Sequence, residues 1–151
     1  MRLEVDDLSR PEVGVLLVEH LADMHATSPA ESVHALDLSG LRGPDMRVWT
    51  AWEAGALLGI AALKTLTPEH GELKSMRTSS FARGRGVASE LLEHVLTEAR
   101  RLGFERVSLE TGTQDYFAAA RRLYERHGFV AVPPFGDYVV DPSSTFYSLV
   151  L

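Results

Sequence analysis

The spacing of apolar residues divides the first part of the 151-residue chain into a strand and two helices. Residues 1–5 have the alternation of a short strand. Ser9-Arg10-Pro11-Glu12 has the form of a capping box with proline in the first turn, which predicts a helix to about Ala26. A second, shorter helix is expected over residues 28–41, ending near Gly40.

Three extended runs joined by tight turns come next in the chain. Residues 46–52, 56–66 and 72–78 are strand-like, and the turns between them carry the sequences EAG and TPEHG. This arrangement predicts successive antiparallel hairpins. Trp49 and Trp52 fall on opposite faces of the first strand, so one is expected in the core and the other at a cleft or an interface.

The second half changes to strand–helix–strand units. Helices are predicted over residues 87–102 and 115–127, and each is followed by a glycine that can end it. Strands are predicted over residues 104–111, 129–132 and 145–151, with a loop before the last one. Hairpins followed by such units predict one domain, residues 1–151, of α+β or mixed α/β layered architecture.

Composition and charge narrow the function classes. Apolar residues make up 45% of the chain, enough for a packed core, and 15 basic against 21 acidic residues argue against a nucleic-acid partner. The absence of cysteine removes disulfides, thiolate nucleophiles and cysteine metal sites. The charged N-terminus lacks a signal-peptide core, and no run approaches the ~20 apolar residues of a membrane span. We therefore expect a soluble cytoplasmic protein with no membrane partner.

Arg83-Gly84-Arg85-Gly86 stands directly before the 87–102 helix. The first N–H groups of a helix are unpaired and carry partial positive charge, and glycines leave them accessible. Together with two arginines they favour an anion site, best suited to phosphate. The alternative is a plain glycine turn with a solvated arginine pair. The position between a strand and an amphipathic helix favours the anion site.

The residues after the glycines narrow the type of phosphate ligand. A Walker loop needs a Gly-Lys-Ser/Thr sequence, and this chain has no lysine there. A dinucleotide fingerprint needs a third glycine where this chain has Ser89, although Glu110 stands where a ribose-binding acid would. A dinucleotide-binding module therefore remains as a weaker alternative.

The segment Arg83-Gly84-Arg85-Gly86-Val87-Ala88 resembles the Arg/Gln-x-x-Gly-x-Gly/Ala motif of the GNAT superfamily of N-acetyltransferases. The later segment from Leu123 to Phe129 is similar to another part of that family, and the matched region spans residues 71–132. The C-terminal segment resembles small bacterial members. The resemblance implies the GNAT fold: a mixed, mostly antiparallel twisted sheet of about six to seven strands flanked by about four helices.

The resemblance also implies acetyl-CoA as cosubstrate and no metal. Backbone N–H groups of the glycine loop would hold the pyrophosphate, the strand before it would bind the pantetheine arm, and the Met76 N–H would polarise the acetyl carbonyl. A splayed gap before the 104–111 strand would admit the arm. The implied coenzyme-binding residues are Met76, Arg77, Thr78, Arg83, Gly84, Arg85, Gly86, Val87, Ala88 and Ser89. Many relatives carry asparagine where this chain has Phe117, so that contact is in question.

Acetyl transfer to an amine requires a base, an oxyanion donor and an acid for the leaving thiolate. Tyr124 matches the family's acid, with a core tyrosine as the alternative. Glu72 is the preferred base and is expected to face the same side of its strand as Lys74 and Met76. Glu110 is the second candidate, but a surface carboxylate is favoured there.

The acceptor pocket is expected from the variable segments, residues 24–38 and 133–144. Glu31, His34, Glu110, Asp137 and Tyr138 are the candidates for holding a small amine or amino-acid-like substrate. The six histidines show no metal-ligand spacing. The favoured function is acetyl transfer by direct attack in a ternary complex, with a non-catalytic acyl-CoA sensor as the alternative. A homodimer is compatible with the family but is not determined by the sequence.

Overall fold

The computed structural model describes residues 1–151 and contains seven strands and four α-helices. The strands are β1 (Arg2–Val5), β2 (Met46–Glu53), β3 (Ala56–Thr67), β4 (His70–Thr78), β5 (Arg106–Gly112), β6 (Val130–Val132) and β7 (Ser144–Val150). The helices are α1 (Pro11–Thr27), α2 (Leu38–Leu41), α3 (Val87–Arg101) and α4 (Ala118–Arg126). None of the helices has the length and apolarity needed to span a bilayer.

All seven strands form one sheet in the order β1-β2-β3-β4-β5-β7-β6. β4 and β5 are parallel, because the α3 crossover connects them, and every other neighbouring pair is antiparallel. The predicted mixed, mostly antiparallel sheet with about four helices is confirmed. β4 lies inside the sheet, between β3 and β5.

Helices cover both faces of the sheet and give it two apolar cores. On one face, α3 buries a stripe at helical spacing that includes Val87, Leu91 and Val95. On the other, α1 packs Val13 and Leu17 against the strands. Trp49 belongs to the first core and Trp52 to the second, so neither tryptophan lines a cleft. Opposite faces of one strand are both buried because the sheet is covered on both sides.

A bulge in β4 changes which side chains share a face. Ala62 of β3 pairs with Lys74, but Ile60 pairs with Arg77, so β4 has one extra residue between these two pairs. Ser75 takes the left-handed conformation there, with φ of 56°. Met76 consequently packs on the α3 side, and the expectation that it faces the same side as Glu72 is wrong.

β4 and β5 separate beyond their first few residues. Their parallel pairing includes only His70 with Arg106, Gly71 with Val107 and Glu72 with Ser108. β5 remains paired with β7 along its whole length, from Arg106 to Gly112. The remaining part of β4 therefore diverges from β5 and leaves a gap in the middle of the sheet, as the resemblance to the family implied.

Two local predictions near the N-terminus are wrong. Ser9 does not cap α1, because its hydroxyl donates to Asp7, and Arg10 is the capping residue without a side-chain bond. The expected 28–41 helix reduces to a 3₁₀ turn at Ala30–Ser32 and the short α2. The Asp37 carboxylate accepts the Gly40 N–H at 2.8 Å, and this local bond starts a new helix instead of continuing an old one. The segment between them runs past the gap in the sheet.

Candidate active site

A cavity of about 580 Å³ occupies the gap between β4 and β5. Its walls come from both strands, the beginning of α3, α4, the end of α1 and the chain around residues 32–35. Because the gap passes through the sheet, side chains from both faces reach one space. This cavity brings together most of the site residues that were predicted from the sequence.

The glycine loop forms the mouth of the cavity next to α3. Gly84 and Gly86 take positive φ values of 75° and 80°, and a Cβ on either would meet no protein atom within 4 Å. Gly86 is the N-cap of α3 and has no side-chain capping bond. Glu90 is the first residue after the loop whose backbone N–H donates a hydrogen bond, and its acceptor is the Gly86 carbonyl oxygen. The preceding N–H groups from Arg83 to Ser89 are free to bind a ligand.

A close approach between backbones fixes the position of that helix. A Cβ on Gly59 of β3 would lie 2.9 Å from the Arg77 carbonyl oxygen and 3.1 Å from a Val87 side-chain methyl. Glycine at position 59 therefore lets the first turn of α3 pack directly on the sheet. The open N–H groups are held at the strand end by this contact.

Most of the predicted coenzyme residues line the cavity, and one does not. The cavity-lining members are Met76, Arg77, Thr78, Arg83, Gly84, Gly86, Val87, Ala88 and Ser89. Arg85 points elsewhere and pairs with Glu53 at 3.0 Å on the exposed surface. Phe117 also lines the cavity, and its ring packs against the backbone of Gly112, where a Cβ would clash.

Tyr124 of α4 reaches the gap from the α3 side of the sheet. The residue is buried, and its ring packs near those of Phe129 and Tyr147. Burial raises the pKa of the Tyr124 hydroxyl, and the negative charge of Glu110 adds to the effect. The hydroxyl is therefore a protonated group facing a cavity, although the same residue is also part of the core.

Glu72 lies on the opposite, α1 side of the sheet and is bonded to two neighbours. Its carboxylate accepts a 2.5 Å hydrogen bond from the Tyr138 hydroxyl and a 3.3 Å bond from the Lys74 ammonium. Lys74 also donates to Tyr138 at 3.1 Å. Burial together with the Glu72 charge raises the pKa of Tyr138. Each of these three side chains is therefore hydrogen-bonded to the other two.

Glu110 of β5 is on the same side as Glu72 and is not the surface carboxylate that the sequence favoured. It lines the cavity, and burial raises its pKa above the ordinary value of 4.5. Lys74 and His34 are close enough to oppose this shift. A buried carboxylate with a raised pKa is a better proton acceptor than an ordinary one near neutral pH.

The side of the cavity that holds the predicted acceptor residues is bordered by two loops bonded to each other. The hydroxyl of buried Ser32 donates to Asp141 at 2.5 Å, which ties the 3₁₀ turn to the loop before β7. In the same region the His34 ring packs edge-on against Tyr138, with 5.0 Å between centroids. Of the predicted acceptor residues, His34, Glu110 and Tyr138 line the cavity, whereas Glu31 and Asp137 do not.

One group of side chains at the cavity was not predicted from the sequence, which had named only its member Arg77 and had placed that residue with the coenzyme. Arg77 donates to Asp23 at 2.6 Å and to the Tyr116 hydroxyl at 3.1 Å, and buried His20 lies beside them. His20 and Asp23 are on α1 and Tyr116 precedes α4, so no local pattern relates them. The only indication in the sequence was that α1 has polar residues at positions expected to face the sheet and that β4 carries a charged residue. No group of three or more histidine or acidic side chains in the structure is arranged to hold a metal ion.

Comparison with known proteins gives matches along the whole chain. Residues 14–129 match the Acetyltransferase (GNAT) family. The uncharacterized N-acetyltransferase YsnE of Bacillus subtilis is 49% identical over 146 residues, covering 97% of each chain. The uncharacterized N-acetyltransferase YedL of Escherichia coli is 49% identical over 149 residues, covering 99% of this chain and 94% of the relative.

Solved structures agree at the level of the fold. A Klebsiella pneumoniae protein named as an acyl-CoA N-acyltransferase superposes with a TM-score of 0.84 at 24% identity, covering 99% of this chain and 97% of that one. A GNAT family acetyltransferase from Elizabethkingia anophelis with acetyl-CoA bound gives a TM-score of 0.70 at 14% identity, covering 99% and 97%.

Proposed function

Because the chain belongs to the GNAT acetyltransferase family, we propose that it transfers an acetyl group from acetyl-CoA to a primary amine by direct attack in a ternary complex. Acetyl-CoA is a cosubstrate of the family, and an acetyl-CoA complex of a structural relative supports its use here. We infer that the acceptor is a small molecule, since the cavity measures about 580 Å³ and two loops joined by the Ser32–Asp141 hydrogen bond border it.

The observation that carries the proposal is the row of free backbone N–H groups at the mouth of the cavity. The backbone N–H groups of Arg83 to Ser89 donate no hydrogen bond within the protein, and both left-handed glycines leave open space. A diphosphate fits such a site because it offers several acceptor oxygens to N–H groups at a helix N-terminus. The unpaired edge of β4 beyond Glu72 would bind the pantetheine amides as an added strand.

Glu110 is the better candidate for the base that takes the proton from the attacking amine. Its raised pKa suits proton transfer near neutral pH, and its position beside the gap gives access to a bound amine. Glu72 would instead hold Lys74 and Tyr138 in place, because its carboxylate is already bonded to both. In this assignment the amine nitrogen bonds to the thioester carbon after losing a proton to Glu110.

Tyr124 would protonate the sulfur when the carbon–sulfur bond breaks, and the second proton that the nitrogen loses on becoming an amide would restore the Tyr124 hydroxyl. Burial keeps its hydroxyl protonated until that step, and it reaches the gap from the face opposite Glu110. The Met76 N–H would stabilise the oxyanion that develops on the acetyl oxygen. Acid and base are thus on the two sides of the opening between β4 and β5, and the reacting atoms lie between them.

The test combines coenzyme binding with turnover. Calorimetry should detect acetyl-CoA binding and much weaker binding of NAD, and a panel of primary amines should include some that stimulate thiol release. Tyr124→Phe should slow that release with acetyl-CoA affinity unchanged. If acetyl-CoA binds but no amine stimulates release, the protein is an acyl-CoA sensor. If acetyl-CoA does not bind, the assignment of the glycine loop is wrong.

A further inference from the structure

One corner of the cavity is built around a buried arginine. Arg77 is only 8% exposed, and it bonds Asp23 at 2.6 Å and the Tyr116 hydroxyl at 3.1 Å. The Tyr116 hydroxyl in turn donates to the same Asp23 oxygen. His20, also 8% exposed, lies next to them on α1. We call these four residues the Arg77 corner.

Two buried nitrogen atoms of the Arg77 corner have no hydrogen-bond partner. They are Nε of Arg77 and Nδ1 of His20, and both residues line the cavity. Buried polar atoms in folded proteins are nearly always bonded, so unpaired ones call for an explanation such as a ligand. A guanidinium with an unused N–H is suited to a carboxylate, which it can bind through two parallel hydrogen bonds.

The charge of the corner favours an anion from the cavity side. The Asp23 side chain is 41% exposed and so is screened by water, whereas the Arg77 charge is buried. Burial and the nearby Arg77 charge lower the pKa of His20 to about 4, so its imidazole is neutral at pH 7. A neutral imidazole supplies a donor without adding charge.

The other end of the same face is acidic. Glu110 lies two residues beyond Ser108 on β5, and Arg77 lies five residues beyond Glu72, the partner of Ser108, on β4. Along the strands this leaves roughly 10 Å between the two residues at about 3.3 Å per residue, and the divergence of β4 from β5 adds to it. The cavity therefore presents a carboxylate at one point and a guanidinium at another, a short molecule's length apart.

We propose that the acceptor is an amine that also carries a carboxylate, such as an amino acid, and that Arg77 binds this carboxylate while the amine lies beside Glu110. The inference rests on the proposed acetyl transfer and specifies its substrate class. Asp23 occupies one edge of the guanidinium in the structure. Because Asp23 is partly exposed, it can turn outward when the acceptor's carboxylate binds.

The experiment compares matched acceptors that differ only at the carboxylate: an amino acid, its carboxamide and its methyl ester. For the amino acid that is acetylated best, wild-type kcat/KM should be at least about tenfold higher than for its carboxamide or its methyl ester. This is the size of effect expected for one charged contact. Arg77→Gln should remove that preference, because it should raise KM for the acid far more than KM for the carboxamide. Arg101→Gln, at a surface arginine paired with Glu98, is the control and should leave the preference intact.

Two further variants separate recognition from folding. Arg77→Lys keeps the charge and should retain part of the preference, and Asp23→Asn should lower KM for the acid because a competing carboxylate is gone. Equal rates for acids and carboxamides, or an Arg77→Gln variant that loses both equally, would overturn the inference and leave acetyl transfer standing. If no amine is acetylated at all, the proposed function fails. Calorimetric titration of the amino acids and their carboxamides into the CoA complex then decides the inference, which is overturned if the acids bind no better.

Discussion

The two ends of the cavity would recognise their proposed ligands with different parts of the chain. At the proposed coenzyme end, one continuous segment from Arg83 to Ser89 offers unpaired backbone N–H groups. At the acceptor end, side chains from α1, β4, β5 and the loop before β7 converge from positions far apart in sequence. Backbone donors bind any diphosphate and do not titrate, whereas side chains can be exchanged and change charge with pH. Acceptor choice and pH dependence should therefore reside at one end only.

Glu110→Gln should have the largest effect, because it removes the proposed base. We expect kcat/KM to fall by about 10²- to 10⁴-fold, the usual contribution of general base catalysis, with the acetyl-CoA Kd unchanged. Since Glu110 must be ionised to act and burial raises its pKa, the wild-type rate should fall with acidification at a pH above the ordinary carboxyl range. The variant should lose that limb of the profile.

Glu72→Gln is the matched comparison at the same end of the cavity. It should reduce activity less, through displacement of Lys74 and Tyr138, and should keep the acidic limb of the pH profile. If Glu72→Gln causes the larger loss and removes the limb, Glu72 is the base, as the sequence suggested. Activity and acetyl-CoA affinity measured between pH 5 and pH 9 give both answers.

The same contrast explains which parts of the molecule were predictable from the sequence. The glycine loop, its helix and the flanking strands are local, so the periodicity and the motif located them within about two residues. The Arg77 corner depends on contacts between α1, β4 and the chain before α4, which no local pattern encodes. The left-handed conformation of Ser75 could not be predicted either, because serine, unlike glycine, does not indicate such a conformation. One unpredicted bulge was enough to move Met76 to the other face.

The acceptor end should also make the protein sensitive to acid. Burial lowers the pKa of His20 from 6.5 to about 4, so the folded state resists its protonation. Stability from the neutral imidazole is fully present above pH 6.5 and is lost as the pH falls toward 4. Because His20 becomes protonated in the unfolded state but not in the folded state, acidification from pH 7 to pH 5 should reduce the free energy of unfolding by about 2 kcal/mol.

Urea unfolding of the wild type and His20→Gln at the two pH values measures this contribution. The variant should show a smaller loss of stability on acidification. His25→Gln, at an exposed position in the last turn of the same helix, should behave like the wild type. An unchanged pH dependence in His20→Gln would mean that His20 is not held neutral by burial.

A smaller effect is expected from Gly86→Ala at the coenzyme end. A side chain at φ of 80° is strained by about 1–2 kcal/mol, and the added methyl points into the open space at the mouth of the cavity. We expect lower stability and an acetyl-CoA Kd that rises about tenfold. Gly103→Ala follows the other end of α3 at φ of 89°, also with no atom near its Cβ. It should lose similar stability without affecting the Kd, and equal Kd values in the two variants would contradict the proposed site.

The smallest expected effect concerns the loops that close the acceptor end. Ser32→Ala removes the hydrogen bond to Asp141 and with it the tie between the 3₁₀ turn and the loop before β7. Because Asp141 remains in contact with water, the loss of this single bond should raise the acceptor KM only several-fold. Acetyl-CoA affinity should not change, since the glycine loop shares no contact with this tie. Ser39→Ala, at an exposed serine of α2, provides the control. If Ser32→Ala weakens acetyl-CoA binding as much as acceptor binding, the two ends of the cavity are coupled. The conclusion that they bind their ligands independently is then wrong.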